Sequence, residues 1–126
     1  YTSEAAQRLL NEAARYLGTP YVWGGYSPSG FDCSGFVSYC LTNSGVRNTG
    51  RLTAQGLYDI CTPVSQSEAQ PGDLIFFTGT YDAGVPVTHI GIYVGNGQMI
   101  HCGHPVQYTS INSPYWQSHF YGFGRW

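Results

Sequence analysis

A cysteine at the predicted start of a helix is the residue of this sequence best suited to nucleophilic chemistry. Cys33 follows Asp32 and precedes Ser34-Gly35, where a loop rich in Gly, Pro and Ser gives way to an apolar helical pattern. Asp32 is typical of a helix cap, which places Cys33 in the first turn, where unpaired backbone N–H groups and the helix dipole stabilise an anion. We therefore expect a lowered pKa for the Cys33 thiol and a reactive thiolate.

A nucleophilic cysteine needs a base, and two of the four histidines lie in a predicted β-hairpin. Two strands, at 89–94 and 98–102, carry His89 and His101 and flank Gly95-Asn96-Gly97. A two-residue Asn-Gly turn would mix apolar and polar residues on one face of this hairpin. A three-residue loop with a bulge at its last glycine separates them. We expect the second register, because the hydrophobic pattern decides the register when one face is buried.

In the expected register, His101 lies opposite Gly91 and diagonal to His89. Diagonal neighbours are about 7–8 Å apart at the backbone, within reach of long side chains. One imidazole can then fix the tautomer and tilt of the other, as a catalytic base requires. The residues predicted to share the apolar face are Ile90, Ile92, Val94, Ile100 and Cys102.

These positions favour Cys33 as nucleophile, His89 as base and His101 as the residue that orients the base. The alternative is that two histidines on a strand face are surface or structural groups. The remaining histidines, His104 and His119, have no such partner pattern, and we expect both to face solvent or to make isolated hydrogen bonds.

The elements that must position these residues form an α+β pattern, with helices first and antiparallel strands later. The predicted helices are Ser3–Leu17 capped by Ser3, Cys33–Asn43, and Thr53–Ile60 capped by Thr53, and the predicted strands are 74–77, 89–94, 98–102 and 121–126. The absence of repeats, linkers and low-complexity sequence predicts a single domain over residues 1–126. A start at Tyr1 without a methionine predicts a domain excised from a longer secreted protein.

Composition narrows the class of partner. The 126 residues carry a formal net charge of −2, and all five cationic residues are arginines that form no basic patch, which argues against nucleic acid. With 10% charged and 16% aromatic residues, the chain suits an extracellular protein that handles polar, sugar-like or peptide-like material. No apolar run approaches 18 residues, so we expect no membrane insertion.

The other cysteines, Cys40, Cys61 and Cys102, are predicted to pack as small apolar residues or to form at most one structural bridge. A metal site of His101, Cys102 and His104 is a competing hypothesis. Strand alternation places Cys102 on the opposite face from His101, and the spacing is not a usual zinc pattern. We therefore expect neither a metal nor a cofactor.

Five motifs, in order and with suitable spacing, make the chain resemble the NlpC-type cell-wall peptidases, papain-like enzymes that cut peptidoglycan stem peptides. The resemblance runs from about Leu9 to Trp126. Its landmarks are Gly18-Thr19-Pro20-Tyr21-Val22-Trp23-Gly24-Gly25, Asp32-Cys33-Ser34-Gly35-Phe36-Val37, Arg51 to Gln55, Pro71-Gly72-Asp73-Leu74, and His89 to Gly95 with Ile100-His101. It implies a papain-like α+β fold with N-terminal helices packed on a central antiparallel β-sheet.

The resemblance also assigns roles to residues of this chain. The catalytic triad that it implies is Cys33, His89 and His101. It implies that the Tyr21 hydroxyl lies near the thiolate and helps to hold the oxyanion. It further implies that Asp32 and Ser34 recognise substrate, with Asp32 suited to a free amine on the stem peptide. The alternatives are that Asp32 is only a helix cap and that Tyr21 is only a core residue.

Three further positions carry weaker implications. Trp23 is a wall of the cleft or part of the core, and Arg51 either contacts a substrate carboxylate or is an exposed loop residue. Cys102 stands where the family usually has a small residue such as Ala, and we expect no chemical role for it.

The implied function is hydrolysis of the bond between D-γ-glutamate and the diamino acid of the stem peptide, through a thioester on Cys33. The enzyme would act outside the cytoplasm at the cell wall, as a monomer, beside an upstream wall-binding or second lytic domain. One alternative is an N-acetylmuramoyl-L-alanine amidase of the related Cys/His type. Another is a non-catalytic wall-binding module in which Tyr and Trp residues form a stacking surface.

Overall fold

The computed structural model describes residues 2–126. This part of the chain contains four α-helices and eight strands, joined by loops and turns. The prediction that rests on Tyr1 lies outside these residues. The helices are α1 (Ser3–Ala14), α2 (Cys33–Asn43), α3 (Ala54–Ile60) and α4 (Pro114–His119), with a 3-10 turn at Gln66–Glu68. The strands are β1 (Tyr26–Ser27), β2 (Gly30–Phe31), β3 (Thr62–Val64), β4 (Leu74–Thr78), β5 (Val87–Gly95), β6 (Gln98–Cys102), β7 (Val106–Ser110) and β8 (Phe120–Arg125).

Six of the strands form one antiparallel sheet in the order β3-β8-β4-β5-β6-β7. The first three helices cover one face of this sheet, where a buried cluster joins Leu9 of α1, Phe36 of α2 and Leu57 of α3 to Ile90 and Ile92 of β5. The strands β1 and β2 make a separate ribbon just before α2. The predicted α+β arrangement of helices on an antiparallel sheet is confirmed.

The first helix is shorter than its apolar pattern predicts. It ends at Ala14, and its cap is Thr2, whose hydroxyl accepts from the Ala5 N–H at 3.1 Å, so the prediction of Ser3 as cap is wrong. Leu17 lies outside the helix and is 45% exposed. The helix stops early because the chain turns to reach Gly18, which has a φ of +87°.

The helix that carries the candidate nucleophile has the predicted bounds and cap. The Asp32 carboxylate accepts from the Gly35 N–H at 2.7 Å, which satisfies one of the unpaired donors of the first turn. The third helix is likewise capped by Thr53 as predicted. The nucleophile therefore sits in the first turn of a helix buried along most of its length.

The hairpin of β5 and β6 has the predicted register but a different turn. Tyr93 pairs with Met99 and Ile92 with Ile100, as the hydrophobic pattern requires. The turn is nevertheless a two-residue one: Gly95 pairs with Gln98, and the shift in register falls before the turn, between Tyr93 and Gly95. Both turn residues have positive φ, as a type I′ turn demands, so the extra residue is absorbed within β5.

The second face of the sheet is also buried, by elements that the sequence pattern did not reveal. Ile75, Phe77, Met99 and Phe123 form a smaller cluster there, and Trp116 of α4 packs against it. The helix α4 and the strands β1, β2, β3 and β7 were not predicted. The closing strand was predicted at 121–126 and runs from Phe120 to Arg125.

All four cysteines are free thiols. Cys40 and Cys102 are buried as predicted, whereas Cys61 is partly exposed. None of the helices within residues 2–126 is both long and apolar enough to cross a membrane.

Close packing at Gly35 predicts a strong effect of a single methyl group. A Cβ on Gly35 would collide with the Gly25 carbonyl oxygen and would lie 3.0 Å from the Asp32 carboxylate. We expect Gly35→Ala to lower the free energy of unfolding by about 1–3 kcal/mol, measured by urea denaturation. Gly122→Ala is the matched control, because its Cβ would meet open space. Equal stability of the two variants would contradict the packing argument.

Candidate active site

The first turn of α2 places Cys33 against β5, next to the residue that precedes the candidate base His89. The Cys33 thiol lies 3.8 Å from the carbonyl oxygen of Thr88, the residue before His89 in β5. Only 8% of Cys33 is exposed. The nucleophile is thus held between the first turn of a helix and the strand that carries the candidate base.

The thiol does not have the lowered pKa that its place in the helix predicts. Burial, and secondarily the negative charge of Asp32, raise the pKa of Cys33 to about 11, although backbone N–H groups of Ile90 and Ser34 and the charge of Arg51 act in the opposite direction. The prediction of a resting thiolate is therefore wrong. Desolvation of an anion in a closed site outweighs the helix dipole.

Three side chains on adjacent strands form a hydrogen-bonded chain. The Nε2 of His89 lies 2.9 Å from the Nδ1 of His101, and the Nε2 of His101 lies 2.9 Å from the Thr109 hydroxyl of β7. The predicted contact between the two imidazoles is present. Gly91 leaves the space between them, because a Cβ there would lie 3.1 Å from the Cβ of His101.

The direction of this chain sets the tautomer of the base. If the Thr109 hydroxyl accepts from the Nε2–H of His101, then the Nδ1 of His101 is an acceptor and the Nε2 of His89 is the donor. The Nδ1 of His89 then keeps a free lone pair. This tautomer, and not its reverse, equips His89 to take a proton.

Both imidazoles are neutral in the resting protein. Burial, with a smaller contribution from His101, lowers the pKa of His89 to about 3. Burial alone lowers the pKa of His101 to about 4. With a neutral thiol and a neutral imidazole at rest, the proton of Cys33 leaves the sulfur only when the thiol attacks.

The Asp32 carboxylate binds three groups in addition to the capping N–H of Gly35. Its Oδ2 accepts from Arg51 at 2.7 Å and from the Gly24 N–H at 3.1 Å, and its Oδ1 accepts from the Ser34 hydroxyl at 3.2 Å. The Arg51 guanidinium also donates to the Ser34 hydroxyl at 3.0 Å. Asp32 is therefore a helix cap and an ion-pair partner, and Arg51 is bound to the two predicted recognition residues.

A cleft of about 550 Å³ opens in front of Cys33. Its lining includes Tyr21, Trp23, Asp32, Ser34, Arg51 and Tyr81. The Trp23 and Tyr81 rings meet edge to face at 5.5 Å. Tyr81 belongs to the loop 79–86, which is held to β5 by a 2.6 Å hydrogen bond between the Thr80 and Thr88 hydroxyls.

Tyr21 lies at the cleft with an intact hydroxyl proton. Burial, and next the neighbouring Cys33 and Asp32, raise the pKa of Tyr21 to about 12. Its phenol therefore remains a hydrogen-bond donor at neutral pH. A separate cavity of about 430 Å³, between Arg47, Glu68 and Trp126, contains none of the predicted site residues.

The remaining candidates lie outside this arrangement. His104 is exposed, and the His119 ring donates to the Thr78 carbonyl at 2.8 Å, as predicted for the two. Cys102 points to the core and lies 3.2 Å from the Phe31 carbonyl oxygen. Both ring nitrogens of His101 are engaged by His89 and Thr109, so they are not free to bind a metal together with Cys102. The structure shows no potential metal cluster among residues 2–126.

Two residues of the site were missed by the sequence analysis. Thr109 lies in an alternating polar strand that gave no apolar signal, and Trp116 lies in a helix of six residues. A polar residue diagonal to His101 on the next strand would have pointed to Thr109. The stacking of Trp116 on His89 has no local signal, because the two residues are far apart in sequence.

The chain belongs to the NlpC/P60 family, whose pattern it matches over residues 18–125. It is 48% identical over 118 residues to the probable endopeptidase p60 of Listeria seeligeri and 44% identical over 121 residues to the bifunctional muramidase/DL-endopeptidase CwlT of Bacillus subtilis. These matches cover 93% and 94% of this chain but only 21% and 36% of the relatives.

Solved structures agree with this assignment. A lipoprotein-like NLP/P60 protein of Staphylococcus aureus superposes with a TM-score of 0.92 at 43% identity, covering 99% of this chain and 42% of that one. The NlpC/p60 domain of the peptidoglycan hydrolase SagA gives a TM-score of 0.75 at 36% identity, covering 94% of this chain and 96% of that one. The papain-like α+β fold implied by the sequence motifs is confirmed.

The neutral histidine pair makes stability depend on pH. Above pH 6.5 both imidazoles are neutral in the folded and in the unfolded chain, whereas below pH 6.5 only the unfolded chain takes up protons readily, because the folded-state pKa values are lowered. The free energy of unfolding therefore decreases as the pH falls from 6.5 towards 4. We expect His101→Gln to reduce the loss of unfolding free energy between pH 7 and pH 4.5 by on the order of 2 kcal/mol, measured by urea denaturation. His104→Gln, at an exposed position, is the control. An unchanged pH dependence in His101→Gln would refute a buried neutral imidazole.

Proposed function

We propose that this chain is the catalytic domain of a peptidoglycan hydrolase, a cysteine endopeptidase that cleaves the D-γ-glutamyl–diamino acid bond of stem peptides. The observation that carries the proposal is a helix-start cysteine that lines a cleft and lies against Thr88, next to the strand residue His89, which is linked by hydrogen bonds to His101 and, through it, to Thr109. The family assignment supports the reaction class, and the name DL-endopeptidase carried by the Bacillus subtilis relative supports the bond.

Acylation begins from the neutral pair. The Cys33 sulfur attacks the scissile carbonyl carbon, and the S–H proton passes to the Nδ1 of His89. The imidazolium then gives this proton to the nitrogen of the diamino acid as the C–N bond breaks. The product is a thioester between Cys33 and the γ-carboxyl group of D-glutamate, together with a free amine.

Deacylation uses the same groups in the reverse sense. His89 removes a proton from a water molecule, whose oxygen attacks the thioester carbon. The C–S bond breaks, and the proton returns to the sulfur of Cys33. His101 and Thr109 hold the tautomer of His89 in both halves of the reaction.

Two donors are available for the oxyanion that each attack creates. One is the backbone N–H of Cys33, which lies in the unpaired first turn of α2. The other is the Tyr21 hydroxyl, which stays protonated and lines the same cleft. Each such donor contributes about 3 kcal/mol in comparable sites.

The ion-paired group of Asp32, Ser34 and Arg51 suits a substrate end that carries both charges. Asp32 offers a carboxylate to a free amine of the stem peptide, and Arg51 offers a guanidinium to a carboxylate. Because the two are already paired at 2.7 Å, binding exchanges one ion pair for two rather than exposing a lone charge. The competing interpretation, that Asp32 only caps α2, predicts no change in KM when the charge is neutralised.

The proposal includes the setting of the enzyme. Residues 1–126 form one catalytic domain that acts as a monomer on stem peptides at the bacterial cell wall, outside the cytoplasm. The SagA match to a chain of nearly the same extent supports a self-contained domain. The greater length of the relatives supports an additional wall-binding or lytic domain in the complete protein.

Digestion of purified peptidoglycan fragments tests the reaction. We expect the domain to release products with a new amino terminus on the diamino acid, identified by mass spectrometry, and Cys33→Ala to show only background. A new terminus on L-alanine would mean an amidase and would refute the proposed bond. Binding without cleavage would mean a wall-binding module.

Tyr21→Phe tests the oxyanion assignment, since it removes only one hydroxyl. We expect kcat on the same fragments to fall about 100-fold with little change in KM. Tyr81→Phe is the matched control, because Tyr81 lines the same cleft and its hydroxyl has no assigned role. If Tyr21→Phe keeps full kcat, Tyr21 is a packing residue only.

A further inference from the structure

The short helix α4 brings one aromatic ring onto both imidazoles of the candidate site. The Trp116 ring stacks on His89 with centroids 5.1 Å apart and planes at 27°, and it meets His101 edge to face at 5.3 Å and 86°. The ring of Phe77 in β4 also packs here, with its centroid 4.7 Å from that of Trp116 and 6.0 Å from that of His89. The His89 ring therefore has aromatic neighbours in addition to its hydrogen bond with His101.

The helix is fixed in this place at both ends. Pro114 begins it, and the Ser113 hydroxyl caps it by accepting from the Trp116 N–H at 3.4 Å. The Gln117 side chain donates to the Ile111 carbonyl at 2.8 Å, and the His119 ring donates to the Thr78 carbonyl at 2.8 Å. A helix of six residues is not stable alone, so these contacts hold Trp116 over the histidines.

We propose that Trp116 is a positioning residue of the Cys33–His89 pair, holding the plane of the His89 ring and stabilising the imidazolium that forms during catalysis. This inference rests on the proposed function. Trp116 contacts neither the substrate nor the thiol in this role; it acts through His89.

The positive charge on His89 exists only during the reaction, and Trp116 acts on that charge. His89 is neutral in the resting site and becomes cationic only after the S–H bond of Cys33 breaks and an N–H bond forms at its Nδ1. The negative face of an indole attracts a cation more strongly than a neutral ring. The interaction is therefore stronger in the transition state than in the ground state, which raises kcat without changing KM.

Two substitutions distinguish the effect of the aromatic face of Trp116 from the effect of the space that its side chain fills. Trp116→Leu keeps an apolar side chain without a π face, and Trp116→Phe keeps a flat ring. On purified peptidoglycan fragments, we expect Trp116→Leu to lower kcat about 10-fold with KM changed less than about twofold, and Trp116→Phe to keep at least about a third of wild-type kcat. Equal kcat values for the two variants, or a loss in KM alone, would overturn the proposal.

A structural control and a second probe keep the test decisive. Gln117→Ala removes an anchor of α4 without touching either imidazole, so it reports the effect of loosening the helix. A kcat loss in Gln117→Ala equal to that of Trp116→Leu would assign the effect to helix position alone.

If Trp116→Leu does not fold, tetrafluorotryptophan at position 116 keeps the shape of the side chain and weakens the negative potential of its π face. It should lower kcat about threefold, and unchanged kcat would refute the cationic interaction.

Alkylation of Cys33 distinguishes failure of this inference from failure of the proposed function. The rate of Cys33 modification by iodoacetamide, followed by peptide mass spectrometry, reports the transfer of its proton to His89 and needs no peptidoglycan. We expect this rate at neutral pH to fall about 10-fold in Trp116→Leu and to fall less than threefold in Trp116→Phe. Equal alkylation rates in the two variants would overturn the positioning role even if wild-type protein cleaves peptidoglycan.

Discussion

The carboxylate of Asp32 is the group on which the rest of the site depends. It caps α2, and it binds Arg51 and the backbone of Gly24, so one side chain joins the helix to two loops of the cleft. The helix that carries Cys33 can approach the Gly25 loop closely only because position 35 lacks a Cβ. The capping interaction and the missing side chain together fix where the sulfur lies relative to β5.

This arrangement has an electrostatic cost at the nucleophile. The carboxylate that orders the helix start also opposes a negative charge on the adjacent sulfur, and burial opposes it further. Burial opposes a positive charge on His89 in the same way. Cys33 and His89 therefore form no ion pair with each other at rest, and the charges of the reaction arise only when a substrate supplies the electrophile.

The sequence predicted the elements whose signals are local. Asp32 identified the start of α2, and the alternation of Ile90 and Ile92 identified the hairpin register, because one residue of slip would have mixed apolar and polar residues on one face. It missed β7, in which the partly buried residues Gln107 and Thr109 are polar, and α4, which is too short for a periodic pattern. The raised pKa of Cys33 was missed because burial is a tertiary property.

The way in which the loop 79–86 is attached allows the cleft of such a domain to change while its histidines stay in place. It supplies Tyr81 to one wall of the cleft, yet it is fastened at its base by the Thr80–Thr88 hydrogen bond, just before the strand reaches His89. Chemistry and selectivity are thus carried by separable parts of the chain. The loop can change in length or composition and reshape the cleft, while the histidines, held by strand register, keep their places.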